Sequence, residues 1–376
     1  MLPREIIDKI PSFYEKALAS GDLFFFPSSI HHYLESGVEY EIRLCPALQR
    51  KPHLPTPHFD ENVDVIAKAV ENGAEKSKDP FSPPYNAGLF VGYLEEDYVV
   101  LLNKYAVVAE HFLVVTKGFR ESLLRTSITT LNVSSEFRSQ SSPPTPSDLK
   151  HSYALLVAAS KARKNMICIY NCGDLSGASQ PHKHLQFIPL ENEDGPPIEA
   201  LARNVKLENP DKPFSINSLP YANHVYRFPS RLASSKPEEY ERTLTNAFIS
   251  LLDLAISTIR HDPDYPAGKA SYNVILTLEH LVRSHAGMCL AFWLIMFPLA
   301  QYIFPRKGEN YTLSSTGGIL SINSLGYAGM LLVKSEEELE AVKKEGVGKI
   351  LGSVGLKSVH EIQVAGVNGD HDGLRL

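Results

Sequence analysis

Cysteine and tryptophan are scarce in this chain of 376 residues, with four of the first and one of the second. Cys45, Cys168, Cys172 and Cys289 show neither a paired C-x2-C spacing nor a disulfide framework, which argues against a zinc module or a stapled secreted domain. A basic surplus is also missing. The 37 Lys and Arg against 43 Asp and Glu leave a formal charge of −6, the wrong balance for a general nucleic-acid binder. No apolar run opens the chain: Met1-Leu2-Pro3-Arg4-Glu5 leads into a charged amphipathic helix, not a secretory leader. Charged residues at 21% and hydrophobic ones at 43% are ordinary for a globular enzyme. The length is enough for two domains or two fused halves. Together these features predict an enzyme of a reducing compartment, cytoplasmic, with the nucleus as the alternative address, and with no nucleic-acid or membrane partner.

What the chain does have is an ordered mixture of strands and helices. Residues 3–19 read as a helix, and Glu39 to Pro46 as a strand. Residues 52–86 read as a surface excursion carrying one short helix near 63–72. Val99 to Tyr105 and His111 to Thr116 read as two strands in close order. A helix from Ser147, with that residue as N-cap, runs to about Arg163. Capping-box spacing at Ser235 and at Ser335 opens two more helices. Strands at 167–170 and 272–277 complete a pattern that is not strictly alternating, which predicts an α+β fold. A first half ends near residue 195 and a second covers 196–376.

The richest stretch is Gly177-Ala178-Ser179-Gln180-Pro181-His182-Lys183-His184-Leu185-Gln186-Phe187-Ile188. Polar and apolar residues alternate from Lys183, so His182, His184 and Gln186 share one strand face and Lys183, Leu185 and Phe187 the other. Imidazole is a good nucleophile toward phosphorus near neutral pH. A second imidazole can orient it, a neutral amide can hold a phosphate oxygen, and a small-residue turn can present N–H groups to an anion. The residues alone leave three readings open: nucleotidyl transfer, a metal pair in which H-x-H supplies two ligands, and a structural face.

This stretch resembles the histidine-triad superfamily, and within it the fungal diadenosine tetraphosphate phosphorylases (ATP adenylyltransferases), relatives of galactose-1-phosphate uridylyltransferase. Leu44-Cys45-Pro46 through Lys51-Pro52, Asp79-Pro80-Phe81, Leu102-Asn103-Lys104-Tyr105, Ser271 to Thr277 and Leu320 to Gly329 carry the same resemblance. It implies two histidine-triad-like halves on a mainly antiparallel sheet. It implies that ATP and ADP exchange reversibly with diadenosine tetraphosphate and phosphate, through AMP held on His184. His182 would support the nucleophile. Gln186 would bind phosphate without activating water, as a transferase requires. Lys51, Asn103, Lys104, Asn171, Ala178, Ser179, Gln180, Pro181, Ile275, Leu276, Thr277, Tyr302 and Arg306 match substrate-binding positions. No protein-held metal is expected. Mg2+ or Mn2+ would accompany the polyphosphate, and the chain would act as a monomer.

Two segments depart from that pattern. Residues 282–301 interrupt what the resemblance presents as one continuous strand from Thr277 to Arg306, and joining Leu281 to Tyr302 restores it. They include Trp293 and most of a run, Ala286 to Phe304, without a charged side chain. By length that run is a membrane-span candidate, the competing reading being a core helix broken at Pro298. Residues 118–135 behave likewise, since joining Lys117 to Glu136 restores the pattern. Both begin with a residue whose codon can start GT or contain GGT, and both can close on AG, as introns read through in frame would. The chain as written is therefore expected to be impaired, and the shortened chain active.

Overall fold

Short runs dominated by Val, Ile, Leu and aromatic residues become strands, because branched and aromatic side chains pack well on a pleated surface. The computed structural model describes residues 1–50, 79–117, 138–278 (without 193, 230, 231, 233 and 234) and 300–358. In chain order the strands are β1 (Phe24–Phe25), β2 (Ser29–Glu35), β3 (Val38–Leu44), β4 (Phe90–Leu94), β5 (Tyr98–Leu102), β6 (Tyr105–Ala106), β7 (Phe112–Thr116), β8 (Met166–Cys172), β9 (His184–Pro189), β10 (His224–Arg227), β11 (Ser271–Thr277), β12 (Ala300–Arg306), β13 (Asn310–Thr312), β14 (Ile319–Ser321) and β15 (Met330–Val333). The described helices are α1 (Pro3–Ser20), α2 (Pro146–Lys161), α3 (Pro197–Asn204), α4 (Pro237–Arg260), α5 (Ser324–Ala328), α6 (Glu336–Glu345) and α7 (Val347–Val354).

Eight strands form one sheet in the order β10-β12-β11-β8-β9-β7-β5-β4, every neighbouring pair antiparallel. The α+β expectation holds, and the sheet draws strands from both sides of residue 195. A second sheet, β15-β3-β2, also joins the two ends of the chain, with β15 parallel to β3.

Local chemistry explains where the helices begin. Ile6, Ile7, Ile10, Tyr14 and Ala17 give α1 one buried face, and the chain leaves it at Gly21, whose φ of 77° suits a residue without Cβ. The cap of α2 is Thr145, not the expected Ser147. Its hydroxyl accepts the Asp148 N–H at 3.2 Å while the Asp148 carboxylate accepts the Thr145 N–H at 2.7 Å, and Pro146 fits the first helical position. At α4 the expected Ser235 cap gives way to Lys236, which makes no side-chain cap, because Pro237 sets the start one residue later. Ser335 caps α6 as expected, accepting the Glu338 N–H at 3.2 Å.

The two faces of the large sheet are covered differently. On one face Leu185, Phe187, Cys168, Tyr170, Val274 and Leu276 pack against α1, α2 and α4. Lys183 turns to this side too, as the alternation requires. Its ammonium lies 2.6 Å from Asp148 Oδ2 and donates to the Pro143 carbonyl at 2.8 Å. Burial pushes the Asp148 carboxyl up, but the Lys183 charge and the hydrogen bonds around it outweigh that and hold it below the usual carboxylate range. On the other face Ile167, Ile169, Ile275, Tyr302 and Phe304 pack against the second sheet and α5 to α7. Val99, Leu101, Leu113 and Val115 lie on this face as well, beneath Phe81, Tyr85 and Phe90. His184 and Gln186 lie on β9 between those two clusters.

The continuous strand expected from Thr277 to Arg306 is instead a pair of strands. β11 and β12 run antiparallel with Ile275 opposite Tyr302 and Thr277 opposite Ala300. Ala300 and Gln301, assigned from the sequence to the interrupting segment, lie inside β12. Residues 118–135 and most of 282–301 fall outside the described residues, as do the expected helix near 63–72 and most of the uncharged run. Its end, from Ala300, is strand. No helix among the described residues is long and apolar enough to cross a membrane.

Candidate active site

β9 begins at His184 because the preceding glycine loop must first turn the chain back onto the sheet. Gly177 has φ 76°, and a Cβ there would collide with the Ile322 carbonyl, so glycine fits on two counts. Ala178 is buried, Ser179 and Pro181 are exposed, Gln180 is half-buried, and the chain enters the sheet through an isolated bridge between His182 and Ser139.

The two histidines differ in what their rings meet. His182 Nδ1 donates to Asp79 Oδ2 at 2.7 Å, and its Nε2 lies 2.6 Å from the Thr116 carbonyl. Both neighbours are acceptors, so the ring is oriented from both ends. Burial would push the Asp79 carboxyl up, but the bond from His182, the Phe81 N–H and the Ser82 hydroxyl pull it down, so it stays ionised. His184 Nδ1 lies 2.8 Å from the His182 carbonyl. A carbonyl can only accept, so Nδ1 carries the proton and Nε2 keeps the lone pair. Burial lowers the His184 pKa to about 4, which keeps the imidazole neutral near pH 7. Phe81 packs 5.1 Å from its ring.

Gln186 follows on the same face, opposite Leu113 on β7 and Ile169 on β8. Ile275 and Tyr302 continue that row across the sheet. Asn171 Oδ1 accepts from Asn273 Nδ2 at 2.8 Å and from the Ser324 hydroxyl at 2.6 Å, and its buried Nδ2 makes no hydrogen bond. The Asn103 amide lies 2.9 Å from His111 Nδ1, while Lys104 is exposed beside Tyr105.

Other expected ligands are turned elsewhere. Leu276 points to the helix-covered face because strand side chains alternate, so only its backbone shares the row. The hydroxyls of Thr277 and Tyr302 both donate to the buried Glu199 at 2.7 Å. Arg306 is fully buried, its guanidinium bonded to the carbonyls of Ser176, Gly308, Ile322 and Val354 and to Asn273. In this arrangement it braces the second half and presents no donor to the histidines. Lys51 lies outside the described residues. Four contributors escaped the sequence reading: Asp79, Gln140, Asn273 and Ser324. Asp79, Asn273 and Ser324 lie within matching segments, but none of the four carries a spacing signal of its own.

No group of three or more His, Cys, Asp or Glu among the described residues is placed to share a metal ion. The H-x-H pair does not form a chelate here, since both His182 nitrogens face oxygen acceptors and His184 offers Nε2 alone.

Burial has a consequence for stability. His111, His184 and His224 each have their pKa lowered to about 4 by desolvation. As pH falls below about 6.5 the unfolded chain takes up these protons first, so stability is full above that value and declines toward pH 4. With three such groups the slope reaches about 4 kcal/mol per pH unit near pH 5. Urea midpoints taken through this range should fall steeply with acid, and a flat series would contradict buried neutral imidazoles.

An antiparallel sheet covered on both faces, with a histidine strand following a glycine loop, carries the site, and the protein is an enzyme of the nucleotidyltransferase type. More narrowly, the chain belongs to the Ap4A phosphorylase family: the model of the Ap4A phosphorylase N-terminal domain matches residues 1–132 and 128–204, and that of the ATP adenylyltransferase C-terminal domain matches 217–357. It is 28% identical over 323 residues to diadenosine 5',5'''-P1,P4-tetraphosphate phosphorylase 2 of Saccharomyces cerevisiae, covering 83% of this chain and 81% of that one. The crystal structure of yeast Ap4A phosphorylase Apa2 superposes with a TM-score of 0.68 at 25% identity, covering 94% of this chain and 98% of the other. The same enzyme in complex with Ap4A matches with a TM-score of 0.65 at 25% identity, covering 93% and 97%.

Proposed function

We propose that the chain is an ATP adenylyltransferase that phosphorolyses diadenosine tetraphosphate to ATP and ADP, reversibly, through AMP bonded to His184. The observation that carries the covalent step is the Nδ1–H of His184 on the His182 carbonyl, which leaves a neutral ring with its lone pair on Nε2. That nitrogen attacks the phosphorus next to one adenosine, and the bond to the bridging oxygen breaks with ATP leaving. The ring then carries positive charge, which the His182 carbonyl dipole faces. An oxygen of inorganic phosphate next attacks the same phosphorus, the P–N bond breaks, and ADP leaves with the histidine restored. Gln186 can hydrogen-bond a phosphoryl oxygen but has no proton to exchange near neutral pH, which protects the intermediate from water. Asn171 Nδ2 and the 178–181 loop supply further donors. A Mg2+ or Mn2+ ion bound with the polyphosphate would offset its charge. The protein is read as a cytoplasmic monomer.

The test uses diadenosine tetraphosphate labelled in the adenosine-proximal phosphate. Without phosphate, label should remain on denatured protein, stable to base and released by acid as a phosphoramidate is. Added phosphate should chase it into ADP. Release as free AMP, or turnover independent of phosphate, would overturn the reading in favour of hydrolysis.

A further inference from the structure

The ladder between β8 and β9 stops two rows before His184. Ile169 is the last β8 residue paired, opposite Gln186, and two further rows in the same register would set Tyr170 beside Leu185 and Asn171 beside His184. That gap is filled by a side chain from outside the sheet. Gln140, fully buried, places Oε1 where it accepts the His184 N–H at 2.7 Å, and its Nε2 donates to the Asn171 carbonyl at 2.7 Å and the His184 carbonyl at 3.3 Å. Only this amide orientation satisfies one donor and two acceptors, so the network itself fixes it. The Gln140 backbone is engaged as well: its N–H donates to the Pro181 carbonyl at 2.8 Å, and its carbonyl accepts the Tyr170 hydroxyl at 3.0 Å.

We infer that Gln140 is a positioning residue for the nucleophile, acting through the backbone of residues 181–184. It clamps both ends of that span, Pro181 by its own N–H and His184 by its side chain. Between those ends lies the His182 carbonyl that holds the His184 proton on Nδ1. Freeing either end lets the carbonyl drift and the proton redistribute between the ring nitrogens, which removes the lone pair from Nε2 for part of the time. The same amide sets the distance from His184 to Asn171, so a shared polar wedge replaces the strand pairing that would otherwise bring the two together. The inference rests on His184 being the nucleophile.

Two variants of the full chain test it. Gln140→Leu removes all three side-chain bonds at similar volume. It should lower the rate of AMP–enzyme formation at saturating substrate by about 10²-fold, with KM changed by no more than about threefold. The nitrogen-15 signals of the His184 ring, assigned by their loss in His184→Ala, should move from a single Nδ1–H pattern toward averaged positions. Gln140→Glu keeps the acceptor for the His184 N–H but turns a second oxygen onto two carbonyls. Its rate should rise as pH is lowered, when the protonated carboxyl regains a donor, whereas that of the parent protein does not. An unchanged tautomer pattern with an unchanged rate, or a failure of both variants to fold at any pH, would overturn the positioning role. If the parent protein traps no AMP, the nucleophile assignment fails, while the ring signals still judge Gln140 by themselves.

Discussion

His184→Ala should abolish AMP trapping and lower phosphorolysis on the order of 10⁴-fold or more, the scale seen when a covalent nucleophile is removed. The protein should remain folded. The imidazole contributes buried volume and one hydrogen bond to the His182 carbonyl, while the strand around it is held through the backbone and by Gln140. Removing a desolvated imidazole also removes one of the groups that weaken the fold in acid, so the variant should lose stability less steeply below about pH 6.5 than the parent. His182→Ala should behave differently. It leaves the Asp79 carboxylate buried without its partner, and Asp79 also accepts from the Phe81 N–H at 2.9 Å and the Ser82 hydroxyl at 2.8 Å. Its loss should disturb Phe81, which lies over both rings, and so reduce both turnover and stability. Label still trapped on His184→Ala and chased into ADP by phosphate would move the nucleophile elsewhere.

The second large effect concerns residues 282–301. A chain without them should be more stable than the chain as written, with a melting temperature higher by roughly 5 °C. In β12, Gln301 is fully buried opposite Leu276, and both its amide oxygen and its amide nitrogen lack a hydrogen bond. Two orphaned polar atoms together weigh about 2 kcal/mol or more against folding. If Ile275 stays opposite Tyr302, joining Leu281 to Tyr302 places Leu281 where Gln301 stands and His280 opposite Thr277. Leu278-Glu279 then becomes a two-residue hairpin turn. An apolar side chain replaces the orphaned amide, and a much shorter closure contributes about 2 kcal/mol more. His280 would arrive near Glu199, whose carboxyl pKa is raised by burial, and give it a basic neighbour. The other segment also closes easily. Lys183 donates to the Arg138 carbonyl at 2.8 Å and accepts from the Thr116 N–H at 3.1 Å, so residues 116 and 138 flank the same residue. Calorimetry of the chain lacking both segments, beside the chain as written, checks the stability, and sequencing the mature transcript checks their origin. A lower melting point after excision, or a transcript that encodes 282–301, would sink the read-through explanation.

The histidine strand was legible because its information is local. Period-two alternation put His184 and Gln186 on one face and Lys183 on the other, and the contacts of Lys183 with Asp148 show that it lies there. The strand pair β11–β12 was misread as one strand because direction reversal leaves no trace in a hydrophobic run when the turn is displaced by other sequence. Arg306, Thr277 and Tyr302 were expected as ligands only because they match substrate-binding positions of the resembled family. Their partners, Glu199 and backbone carbonyls, come from distant positions that no spacing rule connects. Gln140 was invisible for the same reason: a glutamine in a polar loop gives no sign that its amide will stand in for a strand.

The parallel pairing of β3 with β15 bears on how the protein can be made. A strand finished in the first 44 residues waits for a partner that ends at Val333, and Glu35 waits to receive the N–H groups of Val347 and Gly348 at 2.6 and 3.0 Å. During synthesis the early strand therefore leaves the ribosome with one edge open, a state prone to mispairing. Cutting the gene near residue 195 should yield two insoluble fragments when each is expressed alone. Soluble protein should return only when both are produced in the same cell.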